Sequence, residues 1–304
     1  MNSGVDSFFE SPTQCGLAHY YLRRGVLPLK FAFVGSAAGT HDRLARSVGY
    51  QEVAWNANRF VRAIKPFIGL APLSILEIGP GNGVQSAQVL HLLRKGHVVR
   101  RYTCIDFSSV LMRRAEGELQ KTRVHVERRY HTVDIERLAL GATYPWLGRS
   151  TNLVLLLGNT ICNLEDPGAV LRDLSLRMPR RAILLFNIGL YDTAKSDFDY
   201  IRPYRTKEFL EAVLEPLKAL DVAADTGMLR LAFDRAAQSV LVHCQSSFGG
   251  DQGVPGMPPD IRCFISRRYT RLQVERLVRC GGWHLRRITA DPQRGQFICV
   301  ASPA

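Results

Sequence analysis

The sequence predicts an α/β protein built on a doubly wound, mainly parallel sheet, and three observations predict it. Short apolar runs rich in β-branched residues alternate with segments of helical periodicity between residues 73 and 188. That rhythm is what helices covering both faces of a parallel sheet produce. The run LVLLLGNT (153–160) is apolar throughout until its glycine, as a strand buried on both faces requires. The stretch LSILEIGPGNGVQSAQVL (73–90) reads as strand, glycine turn and helix, the layout that brings a backbone close to a nucleotide-like ligand.

Residues 1–25 mix Ser, Phe and Pro without steady periodicity, and the pattern predicts a partly mobile start. From about 41 to 68 the apolar residues Leu44, Ala45, Val48, Val53, Ala54, Ala57, Phe60, Val61 and Ile64 recur at helical spacing, giving an N-terminal helical cap over 1–68. Pro66 and Pro72 bracket the entry to a core domain over 69–189. Within it, Leu73–Ile78 reads as a buried strand and Val84, Ala87, Val89, Leu90 and Leu93 mark the following helix. A strand at 102–106, a helix at 108–120, a strand at 124–128 and a segment around 131–134 come next. After the strand at 153–160, a helix at 167–178 leads into the strand AILLFNI (182–188).

The rhythm then breaks. Residues 190–262 carry an aromatic, acidic start (Tyr191, Phe198, Tyr200, Tyr204), a helix at about 206–220 and a strand-like QSVLVHC (238–244). A Gly/Pro loop at 249–259 closes this block, which reads as an inserted lid or substrate domain because apolar segments on both sides need burying. Residues 263–304 return to the core pattern. A helix at 270–282 ends on paired glycines, as helix C-termini often do. Strands at 283–289 and 296–301 finish the sheet as an antiparallel hairpin.

The glycine turn has the spacing E-x-G-x-G-x-G: Glu77, Gly79, Gly81, Gly83. It is neither the dinucleotide fingerprint nor a phosphate-binding loop, since no Lys follows the glycines. About 25 residues on, YTCIDFSS (102–109) runs into Asp106 and Phe107, and an acid there suits a ribose diol, because a carboxylate accepts from both hydroxyls. HTVDIERL (131–138) supplies Asp134 and Ile135, an acceptor for an amino group and an apolar cover for a ring. Each acid alone reads as a turn or cap residue; the set in register is the signal. This pattern resembles class I S-adenosylmethionine-dependent methyltransferases. The resemblance implies a Rossmann-like seven-stranded sheet, S-adenosylmethionine as cofactor, and cofactor contacts at Glu77, Gly79, Gly81, Gly83, Asp106, Phe107, Asp134, Ile135, Gly158 and Asn159.

Two further patches resemble a narrower family. LGNTICNLEDPGAVLRDL (157–174) is similar to a G-[ST]-[ST]-I-G-N segment of the histidine Nα-methyltransferases of ergothioneine biosynthesis, and residues 261–302 are similar to that family's closing segment. The resemblance implies that Asn163 and a tyrosine of the inserted domain, Tyr200 or Tyr204, hold an amino acid's α-amino and carboxylate groups. Ser266 matches the serine of the family's E-I-S triplet. Phe264 stands where that family keeps the glutamate that recognises the imidazole. An aromatic wall in place of a carboxylate argues against histidine, since a buried imidazole would lose its polar partner.

Composition sets the outer limits. The 304 residues suffice for a substantial core, and 46% hydrophobic with 22% charged residues describe an ordinary globular chain. No apolar run approaches a membrane span, residues 1–17 show no signal-peptide pattern, and seven cysteines without C-x-x-C pairs predict reduced thiols, no metal site and a cytoplasmic protein. The net charge of +13 raises nucleic acid as a partner, but the arginines are scattered in pairs from Arg23 to Arg294 rather than gathered in one block. No His/Asp pair at telling spacing marks a general base, although His131 and His243 are available. The leading expectation is a methyltransferase of secondary metabolism for a small molecule, an amino acid or a metabolite derived from one. An RNA or protein methyltransferase and a non-catalytic S-adenosylmethionine-binding protein are the alternatives.

Overall fold

The computed structural model of the protein describes residues 8–46, 57–122, 125–137, 152–245 and 258–304. The chain divides into two compact units, one from residues 1–50 and 193–267, the other from 51–192 and 268–304.

The first unit begins with α1 (Pro12–Leu22), where Ser11 caps the N-terminus through the Gln14 amide and Pro12 sits at the first turn, a position that needs no N–H donor. Leu17, Ala18 and Leu22 are buried, together with Phe8, Phe9 and Phe31. Residues 8–25, within the segment expected as a partly mobile start, hold a helix and buried aromatic residues; the segment lacks clean periodicity because its apolar residues pack from both a loop and a helix. α2 (Ala37–Arg46) follows in the same unit, and α3 (Ala57–Ile64) belongs to the second. The two stretches expected as one cap are thus divided between units, and Val48, Val53 and Ala54 lie outside the described residues.

The second unit continues with β1 (Leu73–Ile78), α4 (Val84–Leu93), β2 (Val99–Asp106), α5 (Ser109–Lys121), β3 (Glu127–Thr132), β4 (Leu153–Leu156), the one-turn α6 (Thr160–Asn163), α7 (Pro167–Arg177) and β5 (Ile183–Gly189). A single strand at Glu127–Thr132 replaces the expected strand at 124–128 and the separate segment after it. Its sequence, ERRYHT, is polar at almost every position because it forms the half-exposed edge of the sheet.

The first unit then resumes with α8 (Asp197–Ile201), α9 (Lys207–Ala219), β6 (Leu229–Asp234), β7 (Ser239–Gln245) and β8 (Asp260–Arg267). The three strands form an antiparallel sheet in the order β6-β7-β8. Residues 263–267, expected in the core, end its third strand. The Val26–Arg262 bridge ties the amino-terminal segment to β8, and Glu215 of α9 accepts from Ser36 Oγ at 2.6 Å and Thr40 Oγ1 at 2.7 Å. The amino-terminal helices and the insertion therefore share one body. Residues 249–257 of the Gly/Pro loop lie outside the described residues.

The chain ends in the second unit with α10 (Arg271–Cys280), β9 (Trp283–Asp291) and β10 (Gln296–Pro303). The sheet order is β3-β2-β1-β4-β5-β10-β9, parallel from β3 through β5, with β10 antiparallel to both of its neighbours. This is the doubly wound seven-stranded sheet with a carboxy-terminal hairpin that the sequence predicts. Period-two alternation divides each central strand between two cores. Leu76, Ile78, Val154, Leu156, Leu184 and Phe186 face α7 and α10, while Ile75, Tyr102, Leu153, Leu155 and Leu185 face α3, α4 and α5. Trp283 seals the first core, its indole N–H donating to the Leu171 carbonyl at 2.8 Å.

Candidate cofactor and acceptor sites

The sheet order reverses between β1 and β4: β2 and β3 lie to one side, β5 to the other. In open α/β sheets, ligands bind outside the carboxyl ends of the strands at such a point. The glycine turn sits there. Gly79, Gly81 and Gly83 all adopt left-handed backbone, with φ of +67°, +57° and +79°, a region that costs other residues roughly 1–2 kcal/mol. The Gly79 amide donates to the Ile105 carbonyl at 2.8 Å and the Gly83 amide to Pro80 at 3.0 Å, so the turn is pinned at both ends. A Cβ on Gly79 would lie 3.4 Å from Thr160 Oγ1, which places the β1 turn against the segment leaving β4. At Gly83 a Cβ would lie 2.4 Å from Ala115 Cα, so this glycine allows α4 to pack on α5.

Glu77, two residues before the turn, is 2% exposed. Ser86 Oγ of α4 donates to its Oε1 at 2.9 Å, and its Oε2 is buried with no hydrogen-bond partner. Burial pushes its carboxyl up to about 8; the Ser86 hydrogen bond works against the rise and the neighbouring Asp106 charge adds to it. Cys104, paired across from Glu77, is held well above the usual thiol range by burial and by both acids.

Asp106 ends β2 and is itself buried, its Oδ1 accepting from the Ser108 amide at 3.0 Å, with Phe107 half-buried beside it. Its carbonyl accepts from the Val133 amide at 2.7 Å, which brings the exit of β3 alongside. Asp134 follows at once, half-buried, with Oδ1 accepting from the Glu136 amide at 3.1 Å, and Ile135 packs partly against the apolar core. The two acids therefore stand at adjacent strand ends.

The end of β4 supplies the other wall. Gly158 and Asn159 are both left-handed, with φ of +73° and +64°. Asn159 Oδ1 accepts from Cys162 Sγ at 3.0 Å, and Glu136 Oε1 accepts from the Glu165 amide at 2.5 Å, holding the segment after Asn163 beside the Asp134 turn. Asn163, on α6, keeps its Oδ1 buried without a hydrogen-bond partner.

The remaining sequence candidates lie in the first unit. Tyr200 is buried and stacks on Phe233 with ring centroids 4.1 Å apart. The Tyr204 hydroxyl donates to Ser266 Oγ at 3.1 Å, and its ring packs on Phe209 and Phe264 at 5.2 and 4.9 Å. Phe264 is 1% exposed and forms the middle of this cluster, with Phe209 edge-on at 5.0 Å. Of the two available histidines, His243 pairs with Asp260 at 2.8 Å, while burial and Arg129 lower the pKa of His131.

Sequence reasoning missed Ser86, Thr160, Asn187 and Gln296. Asn187 Oδ1 accepts from the Asn159 amide at 3.4 Å and its Nδ2 donates to Gln296 Oε1 at 2.7 Å. The signal was present, because a buried amide interrupts an otherwise apolar strand in AILLFNI. Among the described residues, no His, Cys, Asp or Glu cluster could hold a metal ion, and no helix is long and apolar enough to cross a membrane.

The second-unit residues fit S-adenosylmethionine. The three left-handed glycines of the turn leave backbone open to close approach, Asp106 offers acceptors for a diol, Asp134 an acceptor for an amino group, and the orphaned Glu77 Oε2 a carboxyl oxygen for a cation. When bound, that cofactor supplies an electrophilic sulfonium methyl group. The chain's part is then to hold and orient both reactants, since positioning alone can remove a large share of a barrier.

Comparisons agree. A family described as histidine-specific, S-adenosylmethionine-dependent methyltransferases matches residues 56–238, more than half of the chain. No curated protein matches by sequence. Among solved structures, magnesium protoporphyrin IX methyltransferase from Synechocystis PCC 6803, with bound S-adenosylhomocysteine, is 13% identical at a TM-score of 0.51, over 91% of this chain and 98% of its own. The CurJ carbon methyltransferase is 13% identical at a TM-score of 0.52, over 91% of this chain and 61% of its own. At these identities the likeness is one of fold.

Proposed function

Because this chain belongs to the histidine-specific, S-adenosylmethionine-dependent methyltransferase family, we propose that it methylates a small acceptor: an amino acid other than histidine, or a metabolite derived from one. The observation that carries this reading is Asn163. Its Oδ1 is a buried acceptor left without a donor, beside the left-handed Gly158–Asn159 turn at the end of β4. A buried unsatisfied carbonyl costs about 1–3 kcal/mol, so it is a position that an ammonium or amide donor of the acceptor would satisfy. Asn163 is one of the two residues, with a tyrosine of the inserted domain, to which the histidine methyltransferase resemblance gives the acceptor's α-amino and carboxylate groups.

Phe264 supports the exclusion of histidine. The position that would carry an imidazole-binding carboxylate is instead an aromatic ring packed between Tyr204 and Phe209. An acceptor with an apolar or aromatic side chain loses nothing to such surroundings, whereas an imidazole would give up hydrogen bonds. Tyr204 and Ser266, joined by a hydrogen bond, are the polar groups of that cluster, and Tyr204, like Tyr200, is a tyrosine that the resemblance offers for acceptor recognition.

Calorimetric titration with S-adenosylhomocysteine, alone and in the presence of single amino acids, tests the proposal. Tightening by one amino acid other than histidine is expected. Tightening by histidine above all others would overturn the role given to Phe264. If no amino acid or derivative changes the binding, the small-acceptor reading falls; RNA binding that weakens steeply with salt would then make the +13 charge the guide.

A further inference from the structure

We propose that Glu77 gives up a proton to solvent when the cofactor binds, so that occupancy of the site is coupled to pH. The inference rests on the cofactor assignment above and adds to it a change of charge state in one residue of this chain.

The groups around Glu77 leave its charge unanswered. On its own strand it is flanked by the apolar residues Leu76 and Ile78. Across β2 it faces Cys104, with Asp106 two residues further on; across β4 it faces Leu155. From α4 it receives one neutral donor, the Ser86 hydroxyl. The influences on its ionisation are burial, Ser86 and Asp106, and none is a basic side chain. One hydroxyl cannot satisfy two carboxylate oxygens, and Oε2 is left buried and unpartnered. Glu77 thus meets the Asp106 charge with no basic side chain acting on its own carboxyl, and a like charge nearby in a buried place disfavours ionisation. In the free protein Glu77 is the neutral member, with its carboxyl pushed up to about 8.

The cofactor brings the missing charge. S-adenosylmethionine carries a sulfonium and an α-ammonium group, and S-adenosylhomocysteine retains the ammonium. A cation entering next to a neutral carboxylic acid in a site of low polarity favours its ionised form. The step balances simply: the Glu77 O–H bond breaks, the electron pair stays on the carboxylate, and the proton leaves to buffer. By linkage, a site that loses one proton on binding gains affinity as pH rises, until the free protein has itself lost that proton.

The test is the dissociation constant of S-adenosylhomocysteine for the whole protein between pH 5.5 and 8, measured by calorimetry in buffers of different ionisation enthalpy. For the unaltered protein, affinity should rise about tenfold per pH unit below the free-state value, with close to one proton released. Glu77→Gln should lose that slope and release almost no proton, while any titration of the ligand's own amine stays common to both. Ser86→Ala, which removes the one donor, should move the bend in the profile to higher pH. Equal slopes in the unaltered and Glu77→Gln proteins would overturn the proposal while leaving the cofactor assignment intact. So would affinity that falls with pH, because then Glu77 serves as a neutral donor. Absence of binding at every pH would overturn the cofactor placement as well.

Discussion

Asn187 Oδ1 accepts a hydrogen bond from the backbone amide of Asn159 at 3.4 Å, linking the interior of β5 to the left-handed turn at the end of β4. The other end of the same amide donates to Gln296 on β10 at 2.7 Å, so three strands meet in one polar contact inside an apolar sheet. Non-glycine residues seldom adopt φ near +60°, and Asn159 does so with its backbone and side chain both engaged, by Asn187 and Cys162.

Removal of Asn187 should therefore loosen the turn that carries Gly158 and Asn159. Asn187→Leu leaves the Asn159 amide and Gln296 Oε1 without these partners at a cost of about 1–3 kcal/mol each if they stay dry. We expect a lower melting temperature together with weaker S-adenosylhomocysteine binding by about tenfold. Asn187→Asp keeps the acceptor for Asn159 but removes the donor to Gln296, and should restore part of the binding. Cofactor affinity unchanged in Asn187→Leu would separate this network from the site.

The two outer glycines of the β1 turn should behave differently. At Gly83 a methyl group would meet the Ala115 backbone at 2.4 Å in a left-handed conformation, and neither helix can yield without repacking α4 on α5. Gly83→Ala should destabilise the protein by about 3 kcal/mol or more. Gly79→Ala meets only Thr160 Oγ1 at 3.4 Å, so its cost to the free protein is the backbone strain of about 1–2 kcal/mol. Its methyl group would instead occupy space beside the segment leaving β4. Thermal denaturation of both variants with S-adenosylhomocysteine titrations checks the contrast: a folding defect for Gly83, a binding defect for Gly79.

The order of strands, the glycine turn and the acids at 106 and 134 were readable because each depends on local pattern: period-two burial, glycine spacing, an acid ending an apolar run. The partition of the chain was not. Nothing local says that Ala37–Arg46 belongs with α9 while Ala57–Ile64 belongs with the seven-stranded sheet; the Ser36 and Thr40 contacts to Glu215 span about 175 residues of sequence. The insertion also proved to need β8, since β7 pairs with Asp260–Arg267, and so a segment read as part of the core supplies an edge of the smaller sheet. Phe264 was identified by likeness to a triplet, but its burial between Tyr204 and Phe209 follows from contacts that the triplet does not contain. Asn187 and Gln296 could have been flagged as polar interruptions of apolar strands, though not as partners of each other.

Glu77 also makes stability depend on pH. Its folded-state value is raised from 4.5 to about 8. Below the unfolded value the group is protonated in both states and contributes no penalty. As pH rises from about 4.5 towards 8, the unfolded chain ionises while the folded one holds its proton, so this contribution to stability is progressively lost. The loss approaches about 1.4 kcal/mol per pH unit within the window. Above 8 both states are ionised and the dependence from this group ends. Glu77→Gln removes the titration while preserving an oxygen to accept from Ser86. The melting temperature of Glu77→Gln relative to the unaltered protein should therefore increase from pH 5 to pH 8 when no cofactor is present. Saturating S-adenosylhomocysteine should reduce that advantage, because the bound cation then stabilises the ionised carboxylate. A constant difference between the two proteins at every pH would show that Glu77 ionises in the fold as it does in the unfolded chain.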